Sequence, residues 1–172
     1  MRRFTLLAAT ALSSLVLTAT AFAALPKPDG PIKVPTDLAG AKLGMKIKAA
    51  DDAWGGKGDC QTSGDFKFCN YDGGEKGSAQ LSAEQGRISS ASINAGFKNG
   101  GYNFSGPLMK FKAKDGLGLG DKISKVKKLY PKAKKNGTAG FYVPGKGKSS
   151  MGFTANDQKH VTGIYISDGL GG

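Results

Sequence analysis

The spacing of apolar residues along the chain predicts two short helices that lie 76 residues apart. The stretches LGMKIKAADDAW (43–54) and LGDKISKVKKLY (119–130) each place apolar residues at positions i, i+3, i+6 and i+7. This spacing forms one apolar stripe on a helix. The stripe residues are Ile47, Ala50, Ala53 and Trp54 in the first stretch and Ile123, Val126, Leu129 and Tyr130 in the second. We therefore expect helices over 46–54 and 122–130.

Each predicted helix is followed by segments whose patterns are typical of antiparallel strands. The aromatic-rich segments 66–71 and 140–143 come first. The segments 78–94 and 150–167 then read as pairs of strands joined by a polar turn, with apolar residues at alternate positions. The two halves of the chain thus share one order of elements. We predict an α+β fold of two tandem units, each a short helix plus an antiparallel sheet of three to four strands.

The first 23 residues have the features of a cleaved signal peptide. A basic start is followed by an apolar stretch and by Ala21-Phe22-Ala23, which fits the small-residue rule for cleavage. The alternative is a membrane anchor, but the apolar stretch is too short to span a bilayer and contains several Ser and Thr residues. We predict a protein that is secreted or periplasmic and soluble after cleavage, with no transmembrane segment in the remaining chain.

Composition divides the remaining 149 residues into four parts. Four prolines mark residues 24–37 as an extended N-terminal arm. The first α+β unit is predicted over 38–94 and the second over 116–172. The segment 95–115 between them is rich in Gly and Asn, which favours a linker.

The two cysteines, Cys60 and Cys69, are expected to form a disulfide. An exported protein enters an oxidising compartment, and these are the only cysteines in the sequence. A redox pair or a metal site is the alternative, but the spacing is not Cys-x-x-Cys and no histidine lies nearby. The pair is therefore interpreted as a structural cross-link.

Positive charge is concentrated in the second half of the chain. Residues 101–172 contain 13 basic and four acidic residues, whereas residues 24–100 contain ten and nine. The lysines on and after the second predicted helix would form a basic patch: Lys127, Lys128, Lys132, Lys134 and Lys135. Such a patch attracts anions, and for an exported protein we expect an anionic envelope polymer rather than nucleic acid. The alternatives are solubility and the favourable placement of cations at a helix C-terminus.

Several short motifs recur around the predicted helices and the cysteine pair. They are Leu43-Gly44-Met45, Trp54-Gly55, Cys60 with Cys69, Leu119-Gly120-Asp121 and Tyr130. Together they resemble the β-lactamase-inhibitor-protein family of secreted proteins and, more distantly, the small outer-membrane lipoproteins of the β-barrel assembly machinery. The resemblance implies a non-enzymatic protein whose concave sheet and loops contact a partner protein.

The resemblance also implies which loop would contact that partner. In the inhibitor family an acidic residue, on a loop soon after the second cysteine, enters the active site of the partner. The corresponding loop here is NYDGGEKG (70–77), so the candidates are Tyr71, Asp72 and Glu75. The alternative is an ordinary solvated turn, because Asp-Gly-Gly is a common turn sequence.

No motif indicates an enzyme. The single histidine, His160, stands beside a predicted strand, and no Gly-x-Ser-x-Gly motif supports a catalytic triad. GLGLG (116–120) lacks the spacing and the lysine of phosphate-binding loops, and no residues have metal-ligand spacing. We expect no catalysis, no cofactor and no metal. The predicted function is protein binding, with an exported protein such as a hydrolase as partner, and the alternative is binding to an anionic envelope polymer.

Overall fold

A computed structural model of the chain describes residues 24–137 and 140–169. The predicted signal peptide lies outside the described residues. The strands are β1 (Asp37–Leu38), β2 (Ala41–Lys42), β3 (Asp59–Ser63), β4 (Phe66–Asp72), β5 (Ser78–Glu84), β6 (Arg87–Asn94), β7 (Gly96–Lys98), β8 (Gly101–Asn103), β9 (Lys134–Asn136), β10 (Gly140–Pro144), β11 (Ser150–Ala155) and β12 (Val161–Ser167). The helices are α1 (Ile47–Ala53) and α2 (Ser124–Leu129), with 3₁₀ turns at Gly74–Lys76 and Pro107–Lys110. Among these helices, none is long and apolar enough to cross a membrane.

Eight strands form one antiparallel sheet in the order β3-β4-β5-β6-β12-β11-β10-β9. Strand β6 pairs with β12, with Ile93 opposite Ile164 and Ala91 opposite Ile166. Backbone hydrogen bonds therefore continue from the first half of the chain into the second. The short pairs β1–β2 and β7–β8 form two separate hairpins.

The predicted fold class is wrong. The described chain is mostly β, and it is not built from two tandem α+β units that each own a sheet of three to four strands. The reason is the β6–β12 pairing, which merges the strands of both halves into one sheet. Such pairing joins residues about 70 positions apart in sequence, and the local alternation of apolar residues cannot reveal it.

Both helices nevertheless form where their apolar stripes predicted them. Helix α1 ends because Gly55 and Gly56 adopt φ values of +106° and +63°, and the Gly56 N–H donates to the carbonyl of Asp51 at 2.7 Å. This is the usual glycine termination of a helix. Helix α2 ends at Leu129, two residues before Pro131, which cannot extend the ladder of hydrogen bonds. The helices turn Ala50 and Val126 into the core.

One hydrophobic core lies against one face of the large sheet. A row of paired residues on this face is apolar across six strands: Cys69, Leu81, Ala91, Ile166, Met151 and Val143. Helices and loops cover it with Trp54, Leu108, Phe111, Leu117 and Leu119. The Trp54 ring meets Phe111 edge-on at 5.7 Å, and its Nε1–H donates to the Leu38 carbonyl at 3.2 Å. We call this side of the sheet the covered face.

The disulfide between Cys60 and Cys69 is confirmed. The two cysteines are directly paired across β3 and β4 at the edge of the sheet. All five residues of β3 are exposed, so burial contributes little to holding this strand in place. The disulfide attaches it covalently to β4, whose Cys69 side chain is buried.

Candidate functional site

The opposite side of the large sheet carries mostly exposed or half-buried side chains, and we call it the open face. Successive side chains of a strand point to opposite sides of the sheet. The neighbours of the covered-face residues along each strand therefore lie on the open face. The row adjacent to the apolar one is Asn70, Gln80, Ser92, Tyr165, Gly152, Tyr142 and Lys134. These residues are exposed or half-buried, apart from Gly152. The open face is therefore polar, with small side chains at its centre.

Aromatic rings interrupt this polar surface at two places. Phe66 and Phe68 on β4 stack at 6.4 Å, and Phe66 is 41% exposed. On the other half of the sheet the ring of Tyr165 lies across Gly152, where a Cβ atom would stand only 1.9 Å from the Tyr165 Cζ atom. Asn136 donates from Nδ2 to the Tyr165 hydroxyl at 2.8 Å. Glycine at position 152 thus lets a tyrosine lie flat on the sheet.

A cleft of about 560 Å³ opens at one end of the open face. It lies between the ends of β4, β5 and β6, the loop that follows β4, and Phe97 of the hairpin β7–β8. Its polar lining includes Asn70, Gln80 and Asn94, and Gln80 donates from Nε2 to Asn70 Oδ1 at 2.8 Å. Tyr71 and Asp72 also line the cleft, so two of the three predicted contact residues belong to it.

The loop residues predicted to contact a partner occupy different environments. Tyr71 is 1% exposed, its ring packs edge-on against Trp54 at 5.6 Å, and its hydroxyl donates to Asp51 Oδ1. Burial, followed by this hydrogen bond, raises the pKa of Tyr71 well above its usual range. Asp72 is exposed and accepts from the Gly74 N–H at 2.8 Å, which shapes the turn. Tyr71 therefore supports the loop from the core side.

Glu75 fastens the loop to the hairpin β7–β8. Its carboxylate pairs with Lys98 Nζ at 3.0 Å, and its carbonyl accepts from Asn103 Nδ2 at 2.7 Å. Gly96 passes so close that a Cβ there would lie 1.9 Å from the Glu75 carbonyl oxygen. The loop 72–77 and the hairpin thus form one packed end of the open face.

The five lysines of the predicted patch do not all point in one direction. All five lysines are exposed, but Lys127 donates from Nζ to the carbonyls of Pro131 and Ala133 at 2.9 and 2.8 Å. Lys134 and Lys135 are neighbours on the edge strand β9 and so point to opposite faces of the sheet. Lys128 and Lys132 lie on the helix side. None of the five forms an ion pair with a described acidic group.

The hairpin β7–β8 carries aromatic residues that sequence reasoning did not select. Phe97 is 59% exposed and meets Tyr102 edge-on at 5.6 Å. Tyr102 stacks with Phe104 at 6.3 Å, and Phe104 meets the His160 ring at 5.9 Å. We call these four residues the aromatic ladder. The aromatic residues in GFKNGGYNF (96–104) could have indicated this hairpin. The Gly and Asn residues of the same segment favoured its interpretation as a linker instead.

The single histidine of the sequence, His160, lies at the end of the aromatic ladder. His160 contacts Phe104, and its backbone N–H donates to Asn156 Oδ1 at 2.9 Å. Over residues 24–137 and 140–169, no three His, Cys, Asp or Glu side chains group so that they could hold a metal ion.

Comparisons with known proteins identify a similar fold but no family for this chain. Neither a protein family nor a curated protein matches the sequence. The structure is similar to that of an extracellular protein containing a SCP domain from Bacillus anthracis str. Ames, with a TM-score of 0.51 and 14% identity. It is also similar to a cysteine-rich secretory protein from Staphylococcus aureus subsp. aureus Mu50, with a TM-score of 0.48 and 10% identity.

The extent of these matches limits them to the fold. The alignments cover 73% and 83% of this chain, but only 44% and 50% of the two solved chains. This chain therefore corresponds to about half of each. The resemblance to the β-lactamase-inhibitor and outer-membrane lipoprotein families, drawn from short motifs, is wrong, because the fold is instead similar to that of the Bacillus anthracis protein containing a SCP domain.

Proposed function

We propose that this protein is an exported, non-catalytic binding module that holds another exported protein against the open face of its sheet. The observation that carries the proposal is the asymmetry of the sheet. One face of the eight strands is covered by a core, while the other is exposed and combines polar side chains with Phe66, Phe68, Tyr142 and Tyr165.

The dimensions of the open face suit a protein partner. The eight strands contain three to eight residues, about six on average, and at spacings of about 4.8 Å between strands and about 3.4 Å per residue they give an area of about 700–800 Å². A standard protein–protein interface buries about 800 Å² on each partner. Aromatic residues within a polar surface are also the usual anchors of such interfaces.

Export is supported by three independent features. The first 23 residues have the charge and cleavage pattern of a signal peptide. The Cys60–Cys69 disulfide suits an oxidising compartment. The Bacillus anthracis protein of similar fold is described as extracellular.

Two threonines on opposite sides of the sheet provide a matched test of the open face. Thr154 on β11 is exposed on the open face, and Thr62 on the edge strand β3 is exposed on the other side. A partner would first be captured from exported proteins of the producing organism and then purified. Thr154→Arg should weaken its binding at least tenfold, because the long cation obstructs the surface, whereas Thr62→Arg should change the affinity less than twofold.

The result that would overturn the proposal is equal binding by the two variants. Failure of the mature protein to bind any purified exported protein at micromolar concentration would also overturn it. Both variants carry the same added charge, so a general electrostatic effect cannot produce a difference between them.

Binding of an anionic envelope polymer by the basic second half is the second candidate. It is favoured by exposed lysines that have no ion pair among the described residues: Lys128, Lys132, Lys134 and Lys135. Structural roles explain some of the exposed lysines without any anionic ligand. Lys127 caps carbonyl groups after α2, and lysines on an edge strand such as β9 discourage pairing with other chains.

Salt-dependent retention on an anionic cell-wall polymer tests this second candidate. Replacing Lys128 and Lys132 by Glu should lower the NaCl concentration needed for elution, since exposed charges are screened over about 8–10 Å at physiological ionic strength. Replacing Lys42 and Lys57, which are exposed in the first half, is the matched control. Equal elution of the two double variants would remove the second half as the site.

A further inference from the structure

We propose that the cleft at the end of the open face binds a short neutral oligosaccharide, with the Phe97 ring as the platform on which one sugar stacks. This inference goes beyond the proposed protein partner and does not depend on it. It rests on the chemistry of the cleft lining, on the exposure of the aromatic ladder and on the contacts that hold the two together.

The charge of the cleft differs from that of the whole protein. The full sequence has a formal net charge of +12, yet none of the described residues that line the cleft is a lysine, arginine or histidine. Its polar side chains are Asn70, Asp72, Ser78, Gln80, Ser92 and Asn94. Among the described lining residues, Asp72 is the one ionisable side chain at the cleft surface, because Tyr71 is buried. An anionic ligand would meet a carboxylate with no cation in the lining, so charge favours a neutral one.

The amide and hydroxyl groups suit a ligand that carries many hydroxyls. Each Asn or Gln side chain offers two donor hydrogens and a carbonyl acceptor. The bond from Gln80 to Asn70 uses one donor hydrogen of Gln80 and one lone pair of Asn70 Oδ1, so it leaves the amide hydrogens of Asn70 available to a ligand. The Asn94 side chain forms no hydrogen bond with the described residues. Neighbouring hydroxyls of a sugar can donate to and accept from such groups at the same time.

The exposed ring of Phe97 supplies an apolar surface on which a sugar ring can stack. At 59% it is the most exposed of the large apolar side chains that the described residues leave at the surface. The face of an aromatic ring is electronegative and attracts the C–H groups on the flatter side of a sugar ring. A site that pairs one aromatic platform with planar polar groups therefore contacts both sides of a sugar.

The platform is held in place before any ligand binds. Phe97 pairs with Tyr102 across the hairpin, and the ladder continues through Phe104 to His160. The Glu75–Lys98 ion pair and the bond from Asn103 to the Glu75 carbonyl attach the hairpin to the loop 72–77. A rigid site loses less entropy when it binds, which favours affinity for a flexible, well-hydrated ligand. The cleft volume, about 560 Å³, lies within the range of small-ligand sites.

The test is an array of neutral and anionic oligosaccharides, followed by an NMR titration of the ¹⁵N-labelled mature protein with the neutral ligand that binds best. We expect saturable shifts of the amides of Gly77, Gln80 and Asn94. Phe97→Ala should weaken binding at least tenfold and Asn94→Ala at least fivefold. Phe97→Trp should retain binding, since the aromatic platform remains.

Phe66→Ala is the matched control, because Phe66 is also exposed on the open face but lies outside the cleft. It should change sugar affinity less than twofold. Absence of binding to every neutral member of the array would overturn the inference. So would tighter binding of an anionic sugar or a peptide at this cleft, or equal affinity of the wild type and Phe97→Ala. Sugar binding is measured without the protein partner, so the loss of one proposal leaves the other standing.

Discussion

The two faces of the large sheet are built from the same strands but follow different rules. On β5, Ala79, Leu81 and Ala83 are buried on the covered face, while Ser78 and Gln80 are exposed on the open face. The covered residues must fill space without voids, since protein interiors are close-packed. The open residues have no such constraint. Side chains on the open face are therefore less restricted by close packing than those on the covered face, which leaves more of them free to be chosen for binding.

The largest effect should come from removing the centre of the covered face. Trp54 is 1% exposed, contacts Tyr71 and Phe111, and donates to the Leu38 carbonyl. Trp54→Ala should lower the free energy of unfolding by about 3–5 kcal/mol because it leaves a cavity. Urea denaturation followed by circular dichroism measures this loss. A loss below about 1 kcal/mol would mean that the covered face is not a close-packed core.

The next largest effect should come from the edge of the sheet. Replacing Cys60 and Cys69 together by Ser removes a cross-link that closes a short loop between β3 and β4. The loss should be about 2–3 kcal/mol in the chain-entropy account. Urea denaturation of the double variant, compared with the wild type in the presence and absence of reductant, tests it. If reductant and double substitution both leave the midpoint unchanged, β3 is held by other contacts.

Alkaline pH should reveal the buried hydroxyl of Tyr71. Because burial and the bond to Asp51 raise its pKa, the folded protein keeps the proton at pH values where the unfolded chain, with a tyrosine pKa of about 10, releases it. This contribution to stability is complete below about pH 10 and is lost as the pH rises further. Tyr71→Phe should therefore make the fall in unfolding free energy above pH 10 less steep. An unchanged slope would show that Tyr71 titrates normally when folded.

The smallest effect on stability should come from the open face. Thr154→Arg replaces an exposed side chain, and it should change the free energy of unfolding by no more than about 0.5 kcal/mol. Thermal denaturation of this variant beside Thr62→Arg measures both changes under one condition. A loss above about 2 kcal/mol would show that Thr154 belongs to the packed structure and would weaken the contrast between the faces.

Local features of the fold could be predicted from the sequence, and non-local ones could not. The helices and the strands β4–β6 and β10–β12 could be predicted from the spacing of their apolar residues. Each of these elements buries one side, so its apolar residues recur with the period of a helix or of a strand. Strands β3 and β9 are exposed throughout, so they leave no periodic signal. The β6–β12 pairing joins segments that are distant in sequence. Because of this pairing, the strands of both halves form one sheet rather than two.

The candidate site was less predictable than the fold for a related reason. Asp72 and Glu75 were selected through the resemblance to the inhibitor family, which is wrong, although the structure places Asp72 in the cleft lining. The other lining groups, such as Gln80 and Asn94, are ordinary polar residues of strands. Only the cross-strand register brings them together. Phe97 lies in the segment interpreted as a linker, where glycines conceal a hairpin.

Site-specific photo-cross-linking of the mature protein to its partner shows directly which face of the sheet the partner contacts. A photoreactive amino acid would be placed at Ser82, in the middle of the open face, or at Lys48, which is exposed on α1 on the covered side. The account predicts a covalent adduct with one exported protein from position 82, reduced by Thr154→Arg, and none from position 48. An adduct from position 48 but not from position 82 would contradict the assignment of the open face as the binding surface.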